Sequence, residues 1–403
     1  MQLPSTPGGD HRSSLAALKL ICLLWLLGAS LRVTVGAIPP IIPLIHDDLG
    51  MSETQVGLLI GLPLLVWALA AVPGSLLITR IGVSRTLVAG LVATALAASA
   101  RAAAVDVPLL YLATLLMALG IAVMQPALPT LVREWLPRRI GLATAVSSNG
   151  MLVGGFAGPA LTLPMVLPLV GQSWRLDLLV WAAPLLVAAA LLPAVAPRVG
   201  PGPLRQASMP RWWPDWKHPL TWLLGLSFGA NNALYFGANA FLPDYLVSIG
   251  RPDLTAAALG SLAGSQLVAS TLLLVTAEHW QRRAWPFLVF GLGTVAAVVA
   301  IALASGIWIV AATVVLGFSL AVTFVLMLAF PPRLAAPGEV QRASAGMFTI
   351  GYSCAMIIPV ICGAAWDLTG RPWAAFIPLA LSAVALTVLG LALSLHRPPA
   401  PSG

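Results

Sequence analysis

Apolar residues run through this chain in long unbroken stretches, parted by short polar turns. Twelve stretches can be drawn, at 15–40, 53–78, 86–104, 108–131, 139–168, 175–196, 217–243, 254–277, 285–305, 307–330, 341–365 and 372–395. Each is close to the roughly 20 residues that a helix needs to cross a bilayer. They are continuous rather than alternating with period two, which predicts helices and not the strands of a barrel. The 34 prolines do not count against this, because neighbouring helices can satisfy the backbone groups that proline frees within a membrane.

One stretch breaks the rhythm. Residues 197–216, "PRVGPGPLRQASMPRWWPDW", are rich in proline, glycine and basic residues and too polar to span. They divide six helices from six. The expected organisation is a tail at 1–14, a six-helix bundle at 15–196, a linker at 197–216, a second six-helix bundle at 217–397 and a tail at 398–403. The opening "HRSSLAALKLICLLWLLGAS" has the basic-then-apolar order of a signal peptide. Arg32 falls where cleavage would be expected and eleven more spans follow, so an uncleaved first helix is predicted.

Composition agrees with an all-α integral membrane protein. The chain is 59% hydrophobic and 8% charged, against about 25% charged in soluble domains. Its +8 net charge is unevenly placed. With loops assigned alternately to the two sides, 16 of the 21 basic residues fall on one side. The positive-inside rule makes that side cytoplasmic, with both termini on it, as for a protein of the cell's inner (plasma) membrane. The charges are spread over short loops, which excludes a nucleic-acid partner and leaves the lipid bilayer as the surface they meet.

The two halves echo each other. "GAIPPIIPLIHDDLGMSE" begins at Gly36 and "GANAFLPDYLVSIGRPDLT" at Gly237; each leaves a helix through proline and opens a loop with Gly50 or Gly250. Ser52 and Gln55 then have the spacing of a capping box. A repeat of this length is the mark of a duplicated transporter bundle, with its site between the halves.

Several motifs resemble those of the major facilitator superfamily. "SLLITRIGVSR", Ser75 to Arg85, resembles its cytoplasmic gating signature: Arg80, Gly82 and Arg85 fit, while Thr79 and Ser75 stand where aspartate and glycine are usual. "GMLVGGFAGPA", from Gly150, resembles the glycine–proline motif of helix 5, whereas Leu116 occupies the place of a frequent helix 4 arginine. "LRVTVGAIPPIIPLI", "LGMSETQVGLLIGLP", "GIAVMQPALPTLV" and "LVWAAPLLVAAALL" resemble the branch of cyanate permeases and 2-nitroimidazole transporters. The resemblance implies a twelve-helix fold, alternating access and a small anion or small polar heterocycle as substrate.

Arg32 is the chemical anomaly. A charge near the middle of a membrane helix costs about 2.5–3.5 kcal/mol on insertion scales, and Arg32 lies about 20 Å along the helix from Lys19. All 13 acidic residues are placed at or near loops. Asp10, Glu134, Asp215, Glu278 and Glu339 go to the inner side, and Asp47, Asp48, Glu53, Asp106, Asp177, Asp244, Asp253 and Asp367 to the outer. Arg32 then has no permanent counter-ion. It is expected to face a cavity and hold an anionic substrate, with Gly28 and Gly36 leaving space beside it. The competing expectation is structural: Arg32 bonds to carbonyls freed near Pro39 and Pro40, and the chain exports neutral or weakly basic drug-like compounds.

Further substrate-lining candidates are Trp67, Gln125, Asn149, Gln266, Tyr352 and the one-face set Asn232, Tyr235 and Asn239. Interhelical hydrogen bonding competes with ligand contact at each. Arg101 is placed at the outer interface. Arg80, Gly82 and Arg85 are the gating candidates. Cys22, Cys354 and Cys362 lie in apolar runs and the five histidines near span ends, so no disulfide, metal site or cofactor is expected. No GxxxxGK[ST] loop is present to bind a nucleotide. Nor do the spans hold a clustered acid, base and nucleophile, so an enzyme is not expected. The coupling options are exchange, uniport, or protons that travel beside the substrate, in a protein expected to be a monomer.

Overall fold

A computed structural model describes residues 8–124, 127–128, 131, 135, 140–195, 213–280, 283–335 and 340–396, with side chains from Leu18 onward apart from 70–79 and a few scattered positions. Among the described residues every regular element is a helix. The arginine-rich face is called inner and the opposite face outer.

The first pass is α1 (Gly8–Gly36), a turn at Ala37, and α2 (Ile38–Leu49). The sequence pattern ends this pass at 40; the structure carries it on to Leu49. Pro39 and Pro40 sit in the first turn of α2, where no intrahelical N–H bond is lost, so the prolines start a new helix instead of stopping the pass. Gly50 closes α2 in the left-handed region at φ 60°. The capping box is present: Ser52 N–H donates to Gln55 Oε1 at 2.9 Å, and Gln55 N–H to Ser52 Oγ at 3.3 Å.

The first half continues as α3 (Glu53–Ile81), α4 (Val83–Ala102), α5 (Val107–Met124), α6 (Ile140–Leu161) and α7 (Trp174–Val195). The second half is α8 (Pro219–Ser248), α9 (Thr255–Trp280), α10 (Trp285–Leu303), α11 (Ile307–Leu328), α12 (Val340–Thr369) and α13 (Phe376–Leu395). Among the described residues, ten passes are long and apolar enough to span on length and composition alone. The described apolar part of α3 is Glu53–Leu69. The twelfth pass, α8, is 30 residues long but carries Asn231, Asn232, Asn239 and Asp244, all buried. It is a polar helix shielded by other helices, packing on α2, α3, α12 and α13.

Small residues let backbones approach, as is usual where lipid supplies no hydrophobic drive for helix association. Within the first half, a Cβ on Gly28 would lie 2.2 Å from the Ser147 carbonyl oxygen, and one on Gly150 2.2 Å from that of Trp25. Gly28 therefore serves α1–α6 packing and leaves no space for Arg32, contrary to expectation; Gly36 also approaches α6 but does border the cavity described below. Across the halves, Gly57 meets Pro359, Gly61 meets Met356 and Gly363 meets Glu53. These contacts join the outer parts of α3 and α12. Gly260 and Gly264 on α9 approach Ala160 and Phe156 on α6, again in the outer part. The outer face is closed.

Candidate functional site

Beneath that closure, where α1 gives way to α2, a cavity of about 50 Å³ lies between the halves. One water needs about 10–15 Å³ on such a measure, so the space suits a few waters or one small ion. Helices α1 to α6 supply most of the wall, including Arg32, Leu59, Ile60 and Arg101, and α8 supplies Tyr235, Phe236 and Asn239. The wall contains two arginines and no carboxylate.

Arg32 is half-buried and makes no ion pair with any described carboxylate. Its guanidinium carbon sits 5.0 Å from the centroid of the Trp67 ring. Such a contact contributes about 0.5–1 kcal/mol when exposed and about 2 when desolvated, comparable to the cost of the charge but without cancelling it. The Tyr235 and Tyr352 side chains lie within its electrostatic reach. Asn239 Nδ2 donates to the Tyr235 backbone carbonyl at 2.8 Å, and Gln266 Nε2 to the Leu262 carbonyl at 3.4 Å. Trp67 is in turn held edge-on by Tyr352, with ring centroids 6.2 Å apart, and Tyr352 stacks on Phe348. Of the candidates, Arg32, Tyr235 and Asn239 line this space, and Trp67 and Tyr352 form an aromatic chain that starts at Arg32 off its wall.

The other candidates land elsewhere. Asn232 is buried off this wall and donates to the Phe228 carbonyl within its own helix at 2.8 Å. Asn149 is exposed and accepts from Trp25 Nε1 at 2.9 Å, a tie between α6 and α1. Gln125 lies outside the described residues. Arg80, Gly82 and Arg85 are exposed at the inner α3–α4 connection. Gly82 there has φ 86°, a conformation a side chain would strain.

Arg101 corrects the sequence reading. It is expected at the outer interface, yet it is fully buried, at 0% exposure. The neighbouring residues are small (Ala97, Ala98 and Ala104 are buried with it), so α7 and α1 close over the guanidinium. Its Nη2 donates to the Thr34 carbonyl at 3.1 Å, while Nε and Nη1 have no partner. Asp177, likewise at 0% exposure, acts on it electrostatically but makes no ion pair with it. The sequence places Arg101 in the last turn of one helix and Asp177 in the first turn of a later one, both at the outer side, but does not show that these two ends pack together. The placement of acids also needs correction. Glu53, Asp177 and Asp244 are at the outer ends of helices as expected, but all three are buried rather than wet.

The profile of the Major Facilitator Superfamily matches residues 24–359. The 2-nitroimidazole transporter of Escherichia coli (strain K12) is 26% identical over 379 residues, covering 92% of this chain and 94% of that protein. The cyanate transport protein CynX of the same organism is 26% identical over 272 residues, covering 66% of this chain and 68% of that one. Among solved structures, a mutant of the nucleoside transporter NupG superposes with a TM-score of 0.76 at 13% identity, covering 93% of this chain and 99% of that one. That last likeness concerns the fold alone.

Proposed function

We propose that this chain, which belongs to the Major Facilitator Superfamily of membrane transporters, carries a small anion by alternating access, with Arg32 and Arg101 as its cationic poles. The supporting observation is the cavity wall with two guanidinium groups and no carboxylate. Two like charges in a space of low dielectric repel, and neither is fully offset by the protein. An anion between them removes both penalties at once. Arginine suits the task because it stays charged and presents a planar fork of donors. Tyr235 and Asn239 add neutral polar contacts, and Leu59, Ile60 and Phe236 supply apolar wall. The space favours an anion of the size of cyanate or a short carboxylate, consistent with what the name of the cyanate transport protein says of that relative.

In the proposed cycle, the outer α3–α12 contact parts to admit the anion from outside, and the α3–α4 connection with Arg80, Gly82 and Arg85 serves the inner closure. The inner face is taken as cytoplasmic, with both termini on it.

A second reading draws on the Trp67 contact, which gives Arg32 a protein partner. In it Arg32 is structural and the cargo is neutral or weakly basic. Uptake into proteoliposomes separates the two. Arg32→Ala should reduce cyanate or short-carboxylate uptake at least tenfold in a folded protein, and Arg32→Lys should retain part of it. Normal anion uptake by folded Arg32→Ala would sink the anion reading and leave the second.

A further inference from the structure

We propose that His46, Glu53 and Asp244 form a proton-binding site that fastens the two halves together on the outer face. This rests on the alternating-access reading above but not on the nature of the cargo. His46 comes from α2 and Glu53 from the start of α3, both in the first half; Asp244 comes from the outer end of α8 in the second. His46 Nδ1 is 3.0 Å from Asp244 Oδ2 and 3.8 Å from Glu53 Oε1. Polar atoms from all three lie within 4.8 Å of one another.

The two carboxylates are walled from water, with Glu53 6% exposed and Asp244 7%, while the His46 side chain keeps 27% of its surface exposed. Glu53 Oε2 is buried and has no hydrogen-bond partner. No lysine or arginine among the described residues pairs with any of the three. With His46 charged and both carboxylates ionised, the site would carry a net negative charge. The surrounding groups deepen it. Asp47 bears on His46, and Asp367 of α12 bears on Glu53. The nearby Asp48 is already occupied by Arg175 and Trp174, and Arg251 by Asp253. An uncompensated buried charge is costly, and two close carboxylates cannot both stay ionised cheaply. One further proton makes the cluster neutral.

The cluster exists only while the outer face is closed. Parting the halves carries Asp244 away from His46 and Glu53 and lets water reach the carboxylates. The same motion breaks a second tie. Asp367, from the second half, accepts from the backbone N–H groups of Glu53 at 3.0 Å and Thr54 at 2.9 Å, capping α3 from across the interface. The closed state therefore holds more protons than the open one. By linkage, acid favours closure and alkali favours opening. Closing the outer face takes up a proton from the outside and reopening returns it there, so the site lets outer pH bias the cycle and carries no proton across the membrane.

The test needs no cargo. The full chain, with Cys22, Cys354 and Cys362 replaced by alanine, is reconstituted in lipid nanodiscs. Spin labels are placed at Val105→Cys and Leu368→Cys, exposed outer positions on opposite halves. Their separation is measured across pH with EDTA present. The expected result is a short distance in acid that shifts to longer distances as pH rises. Glu53→Gln, neutral at every pH, should stay at the short distance throughout, and Asp244→Asn should lose most of the pH response. A distance that ignores pH in the unmutated pair would overturn the proposal, as would Glu53→Gln titrating like the parent. So would closure that appears only when micromolar Zn²⁺ replaces EDTA, which would make the site a metal clamp. Because no anion is added, none of these outcomes depends on Arg32 or Arg101.

Discussion

Arg32 and Arg101 show how far residue-level reading reaches. Arg32 announces itself because nothing acidic lies near it in sequence, and the structure leaves it with an aromatic face and no ion pair among the described residues. Arg101 is just as important to the cavity and was misread, because a helix end in sequence looks like a water interface. Whether a helix end is wet depends on what packs over it, and that is set by residues far along the chain such as Thr34 and Asp177. A charge-assisted hydrogen bond is worth about 1.5–3 kcal/mol, and about 1.4 kcal/mol is tenfold in affinity. Replacing Arg101 by Met should therefore weaken anion binding about ten- to a hundredfold, measured by calorimetry, with folding retained because the aliphatic volume is kept. Undiminished affinity would remove Arg101 from the site. Trp67→Leu should cost less, about three- to thirtyfold, in line with the 0.5–2 kcal/mol of a cation–π contact.

At the scale of elements, most of the helices were legible from apolar runs, and so was the capping box at Ser52 and Gln55. The continuation of the first pass through Pro39 and Pro40 was not, since proline reads as a stop unless its place in the first turn is known. Nor was it visible which glycines serve which contact. Gly150 packs α6 on α1 within one half; Gly57 packs α3 on α12 between halves. Their alanine variants should behave differently. Gly150→Ala forces a Cβ to within 2.2 Å of a carbonyl in a permanent contact and should lower stability by about 1–3 kcal/mol, the usual range for overpacking. Gly57→Ala puts a Cβ 2.4 Å from the Pro359 carbonyl, but that contact is relieved when the outer face opens. It should leave melting temperature nearly unchanged and lengthen the Val105–Leu368 label distance. Equal destabilisation by both would mean that α3 and α12 do not part.

At the scale of the molecule, the twelve-helix plan follows from periodicity, loop charge and internal repetition, all of which are local or additive along the chain. The cavity is not local. It depends on which faces of α1, α4 and α8 turn toward one another, and on a conformation closed at the outer face. The same scale governs the inner connection. Arg80 and Arg85 are exposed and absent from the cavity wall, so Arg80→Ala and Arg85→Ala should slow transport severalfold while leaving equilibrium anion affinity within about twofold, because neither side chain touches the bound anion. A large loss of affinity would place them in the binding equilibrium instead.

The central claim is that an anion occupies the space between Arg32 and Arg101. The most direct test is thermal unfolding of the purified chain across a panel of small anions, from cyanate to short carboxylates, beside neutral analogues of equal size. A ligand that binds only the folded state stabilises it by about 2.7 kcal/mol at a hundredfold excess over its dissociation constant. At least one small anion should raise the melting temperature in a saturable way, and the rise should vanish in both Arg32→Ala and Arg101→Met. Stabilisation by the neutral analogues alone, or by anions equally in the wild type and both variants, would contradict the account.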